Sequence, residues 1–192
     1  MKKIPTMFER DRDGDRGRVL DKIHPGCEWV AAGEGIATRK VDGTCCLVRD
    51  DKLYKRRELR LQDCIPPYFE RVDFDEETGK SAGWVPVVDG PEDRRHREAF
   101  HPGMLDGTYE LLGPKVQGNP EGMPEHVLVP HSATESFSNV PRTFDALREW
   151  FKGRDIEGLV FHHPDGRMAK IKKRDFGMKR RETRDIYRRI NP

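Results

Sequence analysis

Apolar residues in this chain occur in short runs, and the runs are separated by residues that favour turns. Residues 45–48 and 53–54 are two such runs with a pair of aspartates between them, which predicts a β-hairpin. Residues 159–162 and 168–172 predict a second hairpin, because proline, aspartate and glycine lie between them. Neighbouring strands joined in this way pair in an antiparallel sense. This pattern therefore constrains the fold more than any other feature of the sequence.

Other segments extend this prediction, and they do not alternate regularly between strand and helix. A parallel, doubly wound sheet is therefore disfavoured, and the predicted fold class is α+β, with antiparallel sheets and few helices. A further strand is expected over residues 84–88, and Pro86 makes it an edge or irregular strand. A short amphipathic helix is expected between Thr143 as N-cap and Gly153 as stop. The remaining predicted elements are a polar arm over 1–18, strands over 84–88, 108–112 and 126–129, and helices over 92–100 and 179–190.

The composition sets the size and surroundings of this fold. At 192 residues the chain suits one domain, since a domain takes about 150 residues. Charged residues make up 36% against a typical value of about 25%, and no apolar run approaches the roughly 20 residues that span a bilayer. The four cysteines lack metal-binding spacing, which favours a reducing, cytoplasmic setting. We therefore expect a cytoplasmic protein without a membrane partner.

Charge is unevenly distributed along the chain. Residues 167–189 contain eleven basic and three acidic residues, a net charge of +8, whereas the whole chain carries +2 and the remainder therefore −6. A basic segment, 174–192, on an acidic body suits a polyanionic partner. A solvated basic helix explains the same charges equally well. Charge alone leaves both interpretations open.

Four short motifs carry the functional prediction. Lys40-Val41-Asp42-Gly43 is the first, and Glu110, Glu157 and the pair Lys170 and Lys172 follow in that order. Each motif alone is common, but their order resembles that of the covalent nucleotidyltransferase superfamily of ATP-dependent ligases and capping enzymes. The resemblance implies a nucleotidyltransferase (ATP-grasp-like) domain over residues 1–192.

The resemblance also implies a role for each motif residue. Lys40 corresponds to the nucleophile, Glu110 to a ribose ligand, and Glu157 to a ligand of Mg²⁺ or an orienting group for the nucleophile. Lys170 and Lys172 share one face of their strand, where both can reach one phosphate. Neighbouring cations also favour the neutral amine of the nucleophile, whose pKa is otherwise about 10.4.

Two further positions are implied with less specificity. Thr38 lies where the superfamily contacts adenine. An arginine is expected downstream of the nucleophile, and Arg56 and Arg57 are both candidates. Alternation along a strand lets only one of them point into the site, and we favour Arg56. The expected cofactors are ATP and Mg²⁺, with Mn²⁺ as an alternative metal.

A closer resemblance covers roughly residues 36–177. Segments 43–46, 83–87, 118–122, 128–131 and 156–161 are similar to the 5′-to-3′ RNA ligase family known from vertebrates, with compact bacterial and viral relatives. This resemblance implies lysyl-AMP formation on Lys40, transfer of AMP to an RNA 5′-phosphate, and attack by an RNA 3′-hydroxyl. RNA ends and ATP are the expected partners, in repair, processing or defence.

The sequence departs from the superfamily in its length after Lys172. The 20 residues that follow are too few for a C-terminal oligonucleotide-binding (OB) domain, and the basic segment is expected to replace it. Three alternatives remain open: a ligase for nicked DNA, another nucleotidyltransferase including one that uses GTP, and an inactive RNA-binding relative. All five positions, Lys40, Asp42, Glu110, Glu157 and Lys170, are present, which disfavours the inactive relative.

Overall fold

The structure is a computed structural model that describes residues 1–76 and 78–180. It confirms an α+β fold of mostly antiparallel sheets with few helices. Within these residues no helix has the length and apolar character needed to cross a membrane. The predicted basic helix over 179–190 lies outside the described residues beyond Arg180. The strands are β1 (Phe8–Arg10), β2 (Val19–Ile23), β3 (Ile36–Lys40), β4 (Thr44–Arg49), β5 (Lys52–Leu59), β6 (Glu70–Asp75), β7 (Lys80–Pro86), β8 (Gly107–Leu112), β9 (Val127–Pro130), β10 (Ser136–Phe137), β11 (Gly158–His162) and β12 (Met168–Lys172), and the helices are α1 (Glu28–Ala31), α2 (Arg94–Ala99) and α3 (Phe144–Phe151).

The described chain divides into two compact units. The six-stranded unit comprises residues 1–3 and 42–133, and its sheet has the order β6-β7-β5-β4-β8-β9. The four-stranded unit comprises residues 4–41 and 134–180, and its sheet has the order β10-β3-β11-β12, with β1 and β2 forming a separate pair. All neighbouring strands within these sheets are antiparallel.

Both predicted hairpins are confirmed. In the β4–β5 hairpin, Asp50 and Asp51 have φ angles of 51° and 54°. Two successive residues with positive φ are typical of the turn that matches the twist of a two-residue hairpin, and aspartate tolerates this conformation better than most residues. The β11–β12 hairpin pairs Gly158 with Lys172 and His162 with Met168. It thereby fixes the position of the lysine pair.

The prediction that the strand containing Pro86 is an edge strand is wrong, although its pairing with β6 is irregular between Arg71 and Asp73. Strand β7 is paired on both sides, with β5 and with β6. Pro86 is the last residue of the strand and lies opposite Tyr54, beyond the end of the pairing with β6 at Trp84. A proline at this position deprives the inner part of the sheet of no hydrogen bond.

The core of the six-stranded unit lies on one face of its sheet. Cys46, Val48, Tyr109 and Leu111 are buried there, because alternate residues of paired strands share a face. The same alternation places Cys45 and Glu110, which are opposite each other in the register, on the other face.

The core of the four-stranded unit follows the same rule. Ala37, Leu159, Phe161 and Ile171 are almost completely buried on one face, in a cluster with residues of α1 and α3. Helix α3 is the amphipathic helix predicted after Thr143, and it contributes its buried residues Leu147 and Phe151. Polar side chains of β3 and β12 alternate with the buried residues and therefore line the opposite face.

Part of the predicted polar arm is an ordered piece of the four-stranded unit. Residues Phe8–Arg10 form β1, and Met7 and Phe8 are buried. Lys170 of β12 donates its backbone N–H to Pro5 O over 2.9 Å and accepts one from Met7 N over 2.8 Å. Two large apolar side chains near the start of the chain outweigh the polar residues around them. Residues 11–17 are largely exposed, as the prediction of an arm requires.

Candidate active site

The strand register aligns two lysines across the sheet of the four-stranded unit. Gly158 on β11 is paired with Lys40 on β3 and with Lys172 on β12. Residues in one row of a sheet point to the same face, so the two lysine side chains flank a residue that has none. A Cβ at position 158 would lie 2.3 Å from the Ile171 carbonyl oxygen. Glycine therefore permits the close approach of the strands at this point.

Glu157 joins the two lysines. Lys40 Nζ donates to Glu157 Oε2 and Lys172 Nζ donates to Glu157 Oε1, each over 2.5 Å. Lys40 Nζ also lies 3.3 Å from the Val41 carbonyl oxygen. The side chain of Glu157 is 11% exposed, and those of Lys40 and Lys172 are 21% and 15% exposed. We call Lys40, Glu157 and Lys172 the lysine cluster. It brings together residues that are 117 positions apart in the sequence.

The environment of Glu157 stabilises its charged form. Burial raises the pKa of this carboxyl group, but the charges and hydrogen bonds of Lys40 and Lys172 more than offset burial, so the pKa lies below its ordinary value. A carboxylate with a low pKa is a weak base. Glu157 is therefore suited to orienting the amine of Lys40 and less suited to accepting its proton.

A second row of polar residues lies next to the lysine cluster. Val160 is paired with Thr38 and with Lys170, so these residues share the face of the cluster. The Thr38 hydroxyl donates to Val160 O over 3.3 Å, and its oxygen lies 3.0 Å from His162 Nε2. The row of Thr38, Val160 and Lys170 is the next one along this face from the row of Lys40, Gly158 and Lys172. The hydrogen bonds of Glu157 go to Lys40 and Lys172. The structure thus places Thr38 and Lys170 beside the cluster.

Asp175 is a buried acid that the sequence interpretation missed. It is 1% exposed and lies in the short 3₁₀ helix Lys173–Phe176 that follows β12. Its Oδ2 accepts the backbone N–H of Lys172 over 2.8 Å, and its Oδ1 lies 3.2 Å from Arg10 Nη2. An acid three residues after the end of a strand is a recognisable capping signal. Asp175 thus fixes the backbone of one member of the lysine cluster.

In the six-stranded unit, Glu110 is the centre of a separate polar group. It is 7% exposed, and its Oε1 accepts the backbone N–H of Gly43 over 3.1 Å. Its Oε2 lies 2.9 Å from His131 Nε2, and the Nδ1 of that histidine lies 2.9 Å from Thr108 Oγ1. His131 is half-buried. Its position directly after Pro130, at the end of β9, was the available signal.

Three potential metal ligands meet around Glu110. The ligand atoms of Cys45, Glu110 and His131 lie within 4.8 Å of one another. Cysteine spacing did not predict this group, because only one of its members is a cysteine and the three positions come from β4, β8 and the end of β9. Thiolate and imidazole suit transition metals better than Mg²⁺.

The structure distinguishes the two candidate arginines. Tyr54 pairs with Leu47, and Cys45 pairs with Glu110, so alternation places Arg56 on the face that carries Glu110. Arg56 is half-buried and donates from Nη1 to the Met1 carbonyl oxygen over 2.5 Å. Arg57 belongs to the other face and is exposed. This geometry agrees with the preference for Arg56, while the role of Arg56 stays a prediction.

Comparison with known proteins finds similarity to RNA ligases, the family that the motifs resemble. The family model described as RNA ligase 1 matches residues 99–189. RNA ligase 1 of Danio rerio is 25% identical to this chain, in an alignment that covers 92% of this chain and 81% of that protein. RNA ligase 1 of Pongo abelii is 26% identical and that of Rattus norvegicus 24% identical, each covering 74% of this chain and 67% of the relative.

The fold and the lysine cluster together define a small α+β protein in which one carboxylate is held between two lysines on strands β3 and β12, which flank β11. The comparisons confirm the resemblance of this chain to an RNA ligase family, represented by the RNA ligase 1 proteins of vertebrates.

Proposed function

We propose that this protein is an ATP-dependent RNA ligase that joins RNA 5′-phosphate and 3′-hydroxyl ends through a lysyl-AMP intermediate on Lys40. The observation that carries the proposal is the lysine cluster, in which Glu157 contacts the amines of both Lys40 and Lys172. Similarity to RNA ligase 1 proteins over most of the chain supports RNA as the substrate. We further propose that residues 1–192 act as one nucleotidyltransferase domain of the ATP-grasp-like type.

Covalent chemistry begins when the Lys40 amine attacks the α-phosphorus of ATP. A phosphorus–nitrogen bond forms, the bond to the β-phosphate oxygen breaks, and pyrophosphate leaves. The Lys40 ammonium group loses one proton to solvent before the attack, and the nitrogen loses a second proton to solvent once the phosphorus–nitrogen bond has formed, while Glu157, whose pKa is lowered, orients the amine. Lys172 lies across β11 from Lys40 and stabilises the negative charge that develops on the α-phosphate.

AMP transfer and sealing follow from the same arrangement. An oxygen of the RNA 5′-phosphate attacks the AMP phosphorus, the bond to Lys40 breaks, and the lysine regains a proton. An RNA 3′-hydroxyl then attacks the activated 5′-phosphate, AMP leaves, and the hydroxyl proton passes to solvent. We assign a contact with these phosphates to Lys170 as well, and its position on the same face of β12 as Lys172 supports this assignment. In this proposal Lys170 and Lys172 supply positive charge to the AMP phosphate and then to the RNA 5′-phosphate.

Glu157 also fits the role of a carboxylate ligand for Mg²⁺ or Mn²⁺. Carboxylate oxygens accept more than one contact each, and Mg²⁺ is commonly held by one or two carboxylates together with substrate phosphates. With two ammonium groups already on Glu157, such an ion would be bound only when the phosphates of ATP are present. The ion would neutralise phosphate charge.

The remaining assignments are taken from the resemblance. Thr38 is proposed to contact adenine, and Arg56 and Glu110 are proposed to bind the nucleotide, with Glu110 on the ribose. The buried Glu110 carboxylate held by Gly43 N and His131 supports a fixed acceptor at this position. Four free cysteines support a reducing, cytoplasmic setting.

The first test is the intact mass of the protein after incubation with ATP and Mg²⁺. We expect the wild type to gain one AMP and peptide mapping to place it on Lys40. Lys40→Ala should gain none, because the nucleophile is absent. Lys152→Ala is a matched control, since Lys152 is an exposed lysine that directly follows α3 and forms an ion pair with Glu149. A well-folded wild type that gains no AMP contradicts the proposal.

Changing the nucleotide and the nucleic acid separates the alternatives. Replacing ATP by GTP identifies the nucleotide, and RNA or DNA strands with 5′-phosphate and 3′-hydroxyl ends identify the substrate. An RNA ligase gives a joined RNA product with ATP. Salt-dependent RNA binding without an AMP adduct would instead indicate an inactive relative.

A further inference from the structure

We infer that a basic groove in the four-stranded unit binds the phosphate backbone of the RNA substrate. The groove is an open cavity of about 540 Å³. Its cationic lining residues come from two stretches that are far apart in the sequence, residues 10–18 and 174–179. The inference rests on the proposed ligase function and names the surface that holds the RNA strand.

Charge decides what such a groove can accept. Among the described residues that line it, five are basic and one is acidic, and Met178 is the single large apolar residue. Pockets for small drug-like ligands are lined mainly by apolar and aromatic side chains, so this lining favours a polyanion. Arginine presents a planar set of donors that matches phosphate geometry. The charged lining residues are Arg10, Arg16, Arg18, Arg174, Lys179 and Asp15.

The two stretches of chain approach each other closely at Arg18 and Gly177. Gly177 has φ 74°, and a Cβ there would lie 2.8 Å from Arg18 Cζ, so glycine allows the guanidinium group to approach the turn after β12. Arg18 Nε also donates to Asp15 Oδ2 over 3.0 Å. These contacts position Arg18, while Arg16 and Arg174 are exposed at the groove surface.

A chain of contacts links the groove to the lysine cluster. Arg10 contacts Asp175 Oδ1, and Asp175 Oδ2 accepts the backbone N–H of Lys172. Lys172 in turn donates to Glu157, which contacts Lys40. A phosphate in the groove would therefore lie within the same unit as the proposed nucleophile and be separated from it by few residues.

The test measures binding of a fluorescein-labelled, 5′-phosphorylated single-stranded RNA by anisotropy without ATP, over a range of KCl concentrations. We expect Arg16→Ala/Arg174→Ala to weaken binding about tenfold or more. The slope of log Kd against log salt should fall by about 0.7 for each lost phosphate contact, about 1.4 for the pair. Arg174→Lys keeps the charge and should retain most of the affinity.

Arg148→Ala is the matched control, because Arg148 is an exposed arginine of the same unit on α3 that does not line the groove. It should bind RNA like the wild type. Wild-type affinity and slope in the double variant would overturn the inference, and so would an equal loss in Arg148→Ala. If the double variant is misfolded by circular dichroism, the single variants Arg16→Ala and Arg174→Ala give the same comparison.

Failure of this inference can be distinguished from failure of the proposed function. RNA binding is measured without ATP, whereas the AMP adduct is measured without RNA. An adduct on Lys40 together with RNA binding that ignores the groove residues overturns only the groove. Groove-dependent RNA binding with no adduct overturns the ligase and leaves the groove as an RNA site.

Discussion

Glu157 holds two ammonium groups with one carboxylate and is the one acid of the lysine cluster. Glu157 directly precedes β11 and so lies next to Gly158, the middle residue of the row formed by Lys40, Gly158 and Lys172. Removing the negative charge would leave two partly buried cations facing each other. Stability and chemistry should therefore both respond to a change at this position.

We predict that Glu157→Gln lowers the free energy of unfolding by about 2 kcal/mol at pH 7, since hydrogen bonds to charged groups contribute roughly 1.5–3 kcal/mol. The folded-state pKa of Glu157 lies below the unfolded value of about 4.3. Its contribution is fully present above the unfolded pKa and is lost as the pH falls through the folded pKa. Urea denaturation of both proteins at several pH values measures the difference.

The difference between wild type and Glu157→Gln should shrink as the pH is lowered below about 4. Glu149→Gln provides a control, because Glu149 pairs with Lys152 at an exposed site where ion pairs contribute little. A stability gap that stays constant down to pH 2 would show that the charge of Glu157 is not its source.

At the scale of elements, β11 carries the clearest steric requirement. Gly158→Ala would introduce a Cβ 2.3 Å from the Ile171 carbonyl oxygen, between the two strands that present Lys40 and Lys172. We predict a loss of about 1–3 kcal/mol in stability, the usual range for overpacking, and a marked loss of AMP adduct formation. Thermal unfolding and intact mass measure the two effects.

Val160→Ala serves as a comparison for Gly158→Ala. Val160 lies on the same face of the same strand, two residues further along, and the substitution removes atoms there instead of adding one. It should leave the spacing of β11 and β12 at Lys172 unchanged. If both variants lose the adduct equally, the strand as a whole and not the glycine is responsible.

Local signals in the sequence predicted those elements that depend on local chemistry. The two hairpins, helix α3 and most strands follow from turn residues and periodicity, as the positive φ angles of Asp50 and Asp51 illustrate. The inner position of β7 was missed, because its partner β6 is a charged strand with little apolar pattern. Burial of Met7 and Phe8 depends on long-range packing that a polar neighbourhood conceals.

The site was predicted unevenly for a related reason. The contact between Lys40 and Glu157 joins distant positions, and only the family resemblance indicated it. Alternation correctly separated Arg56 from Arg57. Asp175 and His131 were not predicted as site residues, because an acid after a strand and a histidine after a proline are common at exposed sites. Their burial is decided by segments elsewhere in the chain.

At the scale of the molecule, the reactivity of the cysteines indicates whether each of the two units is folded. Cys27 belongs to the four-stranded unit, where burial raises its pKa to about 11. Cys46 belongs to the six-stranded unit, and burial raises its pKa well above the usual range. Cys64 is exposed. Because the thiolate is the reactive form, thiols that are buried and protonated react slowly.

We predict that iodoacetamide at pH 7.5 modifies Cys64 first and leaves Cys27 and Cys46 unmodified in the native protein. All four cysteines should react after denaturation. Mass spectrometry of peptides taken over time gives the order. Rapid native modification of Cys27 would contradict its burial in the four-stranded unit, and the same result at Cys46 would contradict its burial in the six-stranded unit.

The hydrogen bonds of Lys170 with Pro5 and Met7 have a consequence for how this protein is handled. Strand β12 is the last strand of its sheet, and residues 5–7 cover its otherwise open side. Unprotected sheet edges recruit strands from other molecules. Trimming the first ten residues to shorten an expression clone would uncover that edge together with the hydrophobic surface beneath Phe8, and the product would aggregate.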